Sequence, residues 1–277
     1  MMRRALASLA SLPSLALVAA MLAACVGTTG GDVVDFPVAA AGAADAVAGQ
    51  PYELVTDRGW HVVLTKATLH VGALYLGQSL PVSGAQSTSC ILPGTYVAQV
   101  TTGLDVDLLS PTPQRFPSLG HGTTLQALVG QVWLTGGPIG TAIDAKPILV
   151  VQGTADRGGD VRPFTGQITI SSNRQQRGGT NAGASTICKQ RIVTPIPTPD
   201  VTIQHEGGLL LRIDPRALFV NVDFAALASF SSGYGFSDDP SQADPTSPLY
   251  YSQPSANLYQ NLHSAGSLYR FAWDPGL

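Results

Sequence analysis

Methionine is missing after Met21, lysine occurs only at Lys66, Lys146 and Lys189, and glutamate only at Glu53 and Glu206. The first absence removes the thioether, a preferred soft ligand for Cu(I), from everything beyond the N-terminal segment. The other two remove residues that normally solvate helical surfaces, which argues against long exposed helices and coiled coils. Charged residues make up only 12% of the chain. Beyond the N-terminal segment no apolar run approaches the roughly 18 residues of a membrane helix. Catalytic signatures are missing too: there is no G-x-S-x-G elbow, no H-E-x-x-H, no Walker loop and no dinucleotide fingerprint. His205-Glu206 comes nearest to a zinc motif, but two glycines and a leucine follow it.

What the chain has instead is 30 glycines and 20 prolines among Val- and Thr-rich segments. That composition reads as strands and turns. Val33 to Ala40 predicts a first strand, placed at an edge by Pro37. Trp60 to Leu76 is the clearest strand signal. Trp60, Val62 and Leu64 share one face, whereas Ala67, Leu69, Val71 and Ala73 have the other parity, so a bulge is expected near Lys66. Further strands are expected at 94–100, 104–109, 128–134, 148–154 and 164–170. Val201 to Ile213 reads as a hairpin turning at His205-Glu206-Gly207-Gly208. Thr194 to Asp200 reads as a Pro-rich turn, Ser171 to Ser185 as a polar loop, and Ser267 to Trp273 as a closing strand. Short helices are predicted after Asp214-Pro215, after Asp223 (FAALASF) and after Ser255 (ANLYQNLH). The fold class is therefore mostly β: a Greek-key, immunoglobulin-like β-sandwich with two or three short helices, a barrel being the alternative. One sheet would hold 60–76, 94–100 and 128–134, the other 148–154, 164–170 and 201–213.

The N-terminus has an ordered series of features. Arg3 and Arg4 give a positive start, Leu15 to Ala24 is an uncharged apolar run, and Leu22-Ala23-Ala24-Cys25 follows. This resembles the lipobox of bacterial lipoproteins. The resemblance implies cleavage after residue 24, lipid on Cys25 and attachment to a membrane through that lipid. Val26 in place of an aspartate implies the outer membrane. Residues 1–24 are then a signal peptide, 25–32 the lipidated cysteine and a tether, and 33–277 a single β-sandwich domain. Without Arg3 and Arg4, 13 basic residues face 18 acidic ones, a balance of −5 that does not attract nucleic acid. Cys90 and Cys188 remain. In an oxidising compartment two such thiols pair, the alternative being two buried free cysteines.

The frame of Gly59 to Leu76, Gly153 to Ala155 and Asp214 to Leu227 (DPRALFVNVDFAAL) is similar to uncharacterised secreted lipoproteins of bacteria. The layout has a more distant similarity to MbnP-type periplasmic proteins associated with copper. No ligand motif matches residue by residue, so no copper site is carried over.

Three groups of residues could carry chemistry. Asp105 and Asp107 alternate on one strand, as paired carboxylates or as a solvated edge. Asp238, Asp239 and Asp244 share a polar loop without EF-hand spacing. Of the five histidines, His70 and His121 are the candidates for a two-imidazole Zn or Cu site, although solvated or core histidines are the plainer reading. The sequence thus favours a non-enzymatic, lipid-anchored envelope module, without a cofactor, that binds an envelope protein or small ligand. A copper- or zinc-handling protein and a hydrolase without a recognisable motif are the alternatives.

Overall fold

In the computed structural model, which describes residues 30–79, 94–135, 147–170, 190–230, 233–237 and 253–277, the chain is mostly β and sandwich-like, with three sheets where two were expected. The six-stranded sheet runs β1 (Val33–Phe36), β9 (Gly120–Thr123), β6 (Tyr96–Val100), β5 (Ala73–Gly77), β10 (Val129–Trp133), β13 (Ile192–Pro197). The seven-stranded sheet runs β15 (Ala228–Phe230), β16 (Gly233–Ser237), β12 (Asp160–Ile168), β11 (Leu149–Arg157), β4 (His61–Val71), β3 (Tyr52–Val55), with β7 (Leu104–Asp107) also on β4. The small sheet runs β17 (Tyr269–Asp274), β14 (Gly208–Ile213), β2 (Val38–Ala41), β8 (Gln114–Arg115). One apolar core draws on all three sheets, among them Leu74 and Val132, Leu64 and Leu69, and Leu211 and Phe271.

The predicted parity change is real. Lys66 pairs with Gln152 while Leu64 pairs with Gly153, so Thr65 is the extra residue of a bulge. Val62 and Leu64 before it and Ala67, Leu69 and Val71 after it all stay buried. The expected single strand to Leu76 nevertheless ends at Val71. Past Gly72 the chain continues as β5 in the six-stranded sheet. The sheet assignment of 60–76 is corrected accordingly: its first part pairs with 149–157, its second with 96–100 and 129–133. Pro37 divides the first strand in the same way. It sends β1 to β9 and β2 to the small sheet, because a residue without N–H interrupts the ladder.

Other expectations are corrected. Val201–Ile213 is not a hairpin: β14 pairs in parallel with β2 and antiparallel with β17. The Pro-rich 194–197 lies in β13, at the edge of its sheet, where missing donors are tolerated. Asp214 and Asp223 cap as predicted, accepting from Arg216 N and Ala225 N. They open 3-10 turns, Pro215–Phe219 and Phe224–Ala226, and 228–230 is then drawn into pairing with β16. Helix α1 (Gln253–Leu262) starts ahead of Ser255, which is buried inside it. Gln253 sets that start: its side chain donates to Asn221 O at 2.6 Å and accepts from Asp223 N at 3.1 Å. The two turns deliver Phe219 and Phe224 into a ring cluster with Phe164, Phe236 and Trp60, centroids 5.2–6.4 Å apart. The DPRALF frame is therefore a packing device.

The sheet crossing at Gly72 depends on close backbone approach. Gly72 N donates to Trp133 O at 2.7 Å, and a Cβ at residue 72 would lie 1.9 Å from Thr135 O. Gly72→Ala should therefore destabilise the fold by at least the ~1–3 kcal/mol typical of overpacking. Chemical denaturation measures this, and an unchanged midpoint would show that the crossing can relax.

Candidate functional site

At the sheet crossing lies a cleft of about 550 Å³. Its walls come from strands on both sides of Gly72. β4 and β7 contribute His70, Leu104 and Asp105, and β5 and β10 contribute Ala73, Tyr75 and Trp133, with Thr101, Gly103 and Thr135 at the margins.

His70 and Asp105 are direct cross-strand neighbours. The imidazole Nδ1 and the carboxylate Oδ1 are 2.6 Å apart. The histidine side chain is 21% exposed and the aspartate 73%, so the ring is anchored from the solvent side. A Cβ at Gly103 would stand 3.0 Å from His70 Cε1 and 3.1 Å from Nε2; glycine keeps the ring's second edge clear. Among the described residues Asp105 is the sole hydrogen-bond partner of the His70 ring, and no hydroxyl meets it as a nucleophile would. Asp107, the other carboxylate of that strand, accepts from Leu109 N at 3.0 Å and stands apart from the histidine.

The opposite wall is aromatic. Tyr75 packs on Trp133 with centroids 4.6 Å apart and on Tyr96 at 5.5 Å. Gln131, 3% exposed, holds both neighbours: its Oε1 accepts from Trp133 Nε1 at 3.3 Å and its Nε2 donates to Tyr96 Oη at 3.4 Å. Burial raises the Tyr75 phenol above its ordinary range, with a smaller push from Tyr96. Tyr75 also belongs to a lateral row. Gln131, Tyr75, Gln99, His121 and Asp35 are opposite one another across five adjacent strands. The far end of this row lines a second cleft of about 260 Å³ with Val33, Tyr96 and Thr123.

The structure therefore does not place His70 and His121 at one site. They line different clefts, and His121 Nδ1 is 2.8 Å from Asp35 Oδ1. His61 pairs with Glu53 at 3.1 Å and His205 with Asp32 at 3.2 Å, while both ring nitrogens of His263 face carbonyl oxygens. No group of three or more His, Cys, Asp or Glu residues suited to a metal occurs among the described residues. Cys25, Cys90, Cys188, Asp238, Asp239 and Asp244 lie outside the described residues. Sequence reading passed over Tyr75, Tyr96, Trp133 and Gln131. The available signal was parity: Tyr75 and Trp133 occupy the outward positions of strands whose inward positions are aliphatic.

A cleft with one anchored imidazole, an aromatic wall and hydroxyl groups is equipped to bind a small molecule by ring contact and hydrogen bonds. No family model and no curated protein matches the sequence. Among solved structures the chain is similar to MbnP from Methylosinus trichosporium, at 12% identity and a TM-score of 0.40, over 87% of this chain and 98% of that one.

The tyrosines make the fold sensitive to alkali. Tyr269, fully buried, is raised by desolvation in the same direction as Tyr75. Above the ordinary tyrosine pKa of about 10 the unfolded chain releases protons that the folded chain retains, so stability falls as pH rises through that range. Stability should be level below it, and Tyr75→Phe should make the alkaline loss shallower. Denaturation midpoints across the alkaline range test this; the same slope in both proteins would remove Tyr75 from the account.

Proposed function

We propose that this chain is an exported lipoprotein of the cell envelope, held at the outer membrane by lipid on Cys25, that binds a small ligand without chemical conversion in the cleft at the sheet crossing. The observation that carries the binding reading is the Tyr75–Trp133 pair, ring centroids 4.6 Å apart, lining one cleft with the anchored His70. Such a pair leaves aromatic surface and polar tips open to one cavity, whereas the Phe219–Phe224 cluster is fully buried. The order of charge, apolar run, small residues and cysteine at Leu22-Ala23-Ala24-Cys25 supports the anchor. No helix among the described residues is long and apolar enough to cross a membrane, so lipid is the attachment this reading invokes. A single acyl chain binds marginally and two or more hold stably. In that compartment Cys90 and Cys188 would form a disulfide.

Cys25→Ser should move the protein from the membrane to the soluble fraction. A variant that still sediments with membranes after a high-salt wash would show that something else holds it. For the cleft, native mass spectrometry of protein purified from its own envelope should show a retained small molecule that is lost from Tyr75→Ala/Trp133→Ala. Retention of the same mass by the double variant would place the ligand elsewhere.

Metal handling is the second reading, and one feature favours it. With Nδ1 tied to Asp105, His70 has the carboxylate support that orients metal-ligating imidazoles and leaves Nε2 as the donor. A lone imidazole is a weak site, so dialysis against Cu or Zn followed by elemental analysis should leave no stoichiometric metal. Retention of about one ion per chain, lost in His70→Ala or His121→Ala, would reverse the ranking.

A further inference from the structure

The small sheet has a face that packs apart from both the main core and the aromatic cleft. Ala39, Ala41 and Leu210 form a separate apolar cluster there, with Leu277 packed on it. Beside this floor is a cleft of about 410 Å³ with Gly42, Ala43, Ala44 and Gly266 on its walls and Arg212, Arg216 and Arg270 among its lining groups. Small residues leave room, and guanidiniums supply the charge.

The arginines differ in what they already hold. Arg216 is committed: its Nε and Nη2 meet both oxygens of Asp214 at 2.6–3.0 Å, and its Nη1 meets Asp45 at 3.1 Å. The two carboxylates that bear on the cleft are thus both engaged by one guanidinium. Arg212 gives a single hydrogen bond, Nη1 to Pro111 O at 3.0 Å. The Arg270 side chain makes no hydrogen bond or ion pair among the described residues and is exposed. Yet Arg212 and Arg270 are directly opposed in the β14–β17 ladder. Opposed residues of antiparallel strands carry their Cβ atoms about 4.5–5.5 Å apart, and like charges there repel. In a chain with few cations and a negative balance, these two opposed guanidiniums keep donors free for an anion from outside.

We propose that Arg212 and Arg270 bind the phosphate group of an organic phosphate in this cleft. A carboxylate satisfies one planar guanidinium fork; two guanidiniums carried at opposed positions of adjacent strands and lining one cleft suit a tetrahedral oxyanion with more acceptor oxygens. Leu210 and Ala272, which line the same cleft, give an apolar part of the molecule a surface to lie against. The phosphate belongs either to an acidic phospholipid or to a free phosphate ester. The site is separate from the aromatic cleft and does not rest on what that cleft binds.

The experiment uses the mature chain carrying Cys25→Ser, with two probes. Glycerol phosphate is titrated by calorimetry, and phosphatidylglycerol and phosphatidylcholine vesicles are used for co-sedimentation. The wild-type arginine pair should bind glycerol phosphate, or sediment with phosphatidylglycerol and not phosphatidylcholine; the first result identifies a free ester and the second a lipid headgroup. Arg270→Gln, at an exposed position without partners, should keep its thermal midpoint and weaken binding about tenfold or more, as loss of a charged hydrogen bond does. Arg212→Gln should act likewise. Arg115→Gln, on the same sheet outside the cleft, should not. Absence of binding to both probes at millimolar concentration would overturn the proposal. So would equal weakening by Arg115→Gln and Arg270→Gln, which would mean diffuse attraction.

Discussion

The approach of Gly72 to Thr135 positions almost everything described above. A strand that stayed in one sheet would bury the same aliphatic residues but would form no cleft. Because the backbone at residue 72 passes within a side chain's breadth of the neighbouring carbonyl, the run from His61 to Gly77 serves two sheets. His70 falls just before the crossing and Tyr75 just after it, so an imidazole and a phenol from one short stretch face each other across open space. The bulge at Thr65 has a related effect upstream. It restores the inward parity of Ala67, Leu69 and Val71 and thereby sets His70 on the outward face.

Electrostatics follows the same lattice. Four of the five histidines sit beside a carboxylate, two of them as directly opposed partners, His70 with Asp105 and His121 with Asp35. In a chain with so few charges the two opposed pairs are cross-strand contacts of the kind that help fix register. The opposed pair Arg212 and Arg270 breaks that pattern.

Much of the fold was legible from period and punctuation. Alternation at Trp60 to Leu76 located both the strand and its bulge, and Asp214 and Asp223 announced their caps. The failures have one physical source: propensity and parity describe a strand, not its neighbour. Pro37 was read as an edge marker when it is the point where the chain changes sheets. The residues at 201–213 looked like two arms of a hairpin because both are apolar, but β14 finds partners far away in sequence. Pro195 and Pro197 suggested a turn, although an edge strand with one free side tolerates them. At the site, the histidines were visible as candidates, but only pairing register shows that each has its own carboxylate. The aromatic wall stayed hidden because Tyr75, Tyr96 and Trp133 come from three strands.

The small sheet joins segments from opposite regions of the sequence. Its central strand β14 has β2 on one side and β17 on the other, so residues near 40 and near 270 meet through a single ladder partner. During synthesis from the N-terminus β2 emerges early, waits for β14 and shares it with β17, which follows every other strand in chain order. Such long-range pairing makes folding slow relative to chains with local contacts. It also means that a nascent chain cannot complete this sheet until residues up to Asp274 have been made. The arrangement delays closure of the small sheet and leaves the β2 edge that β14 will take open to any factor that handles unfolded chains.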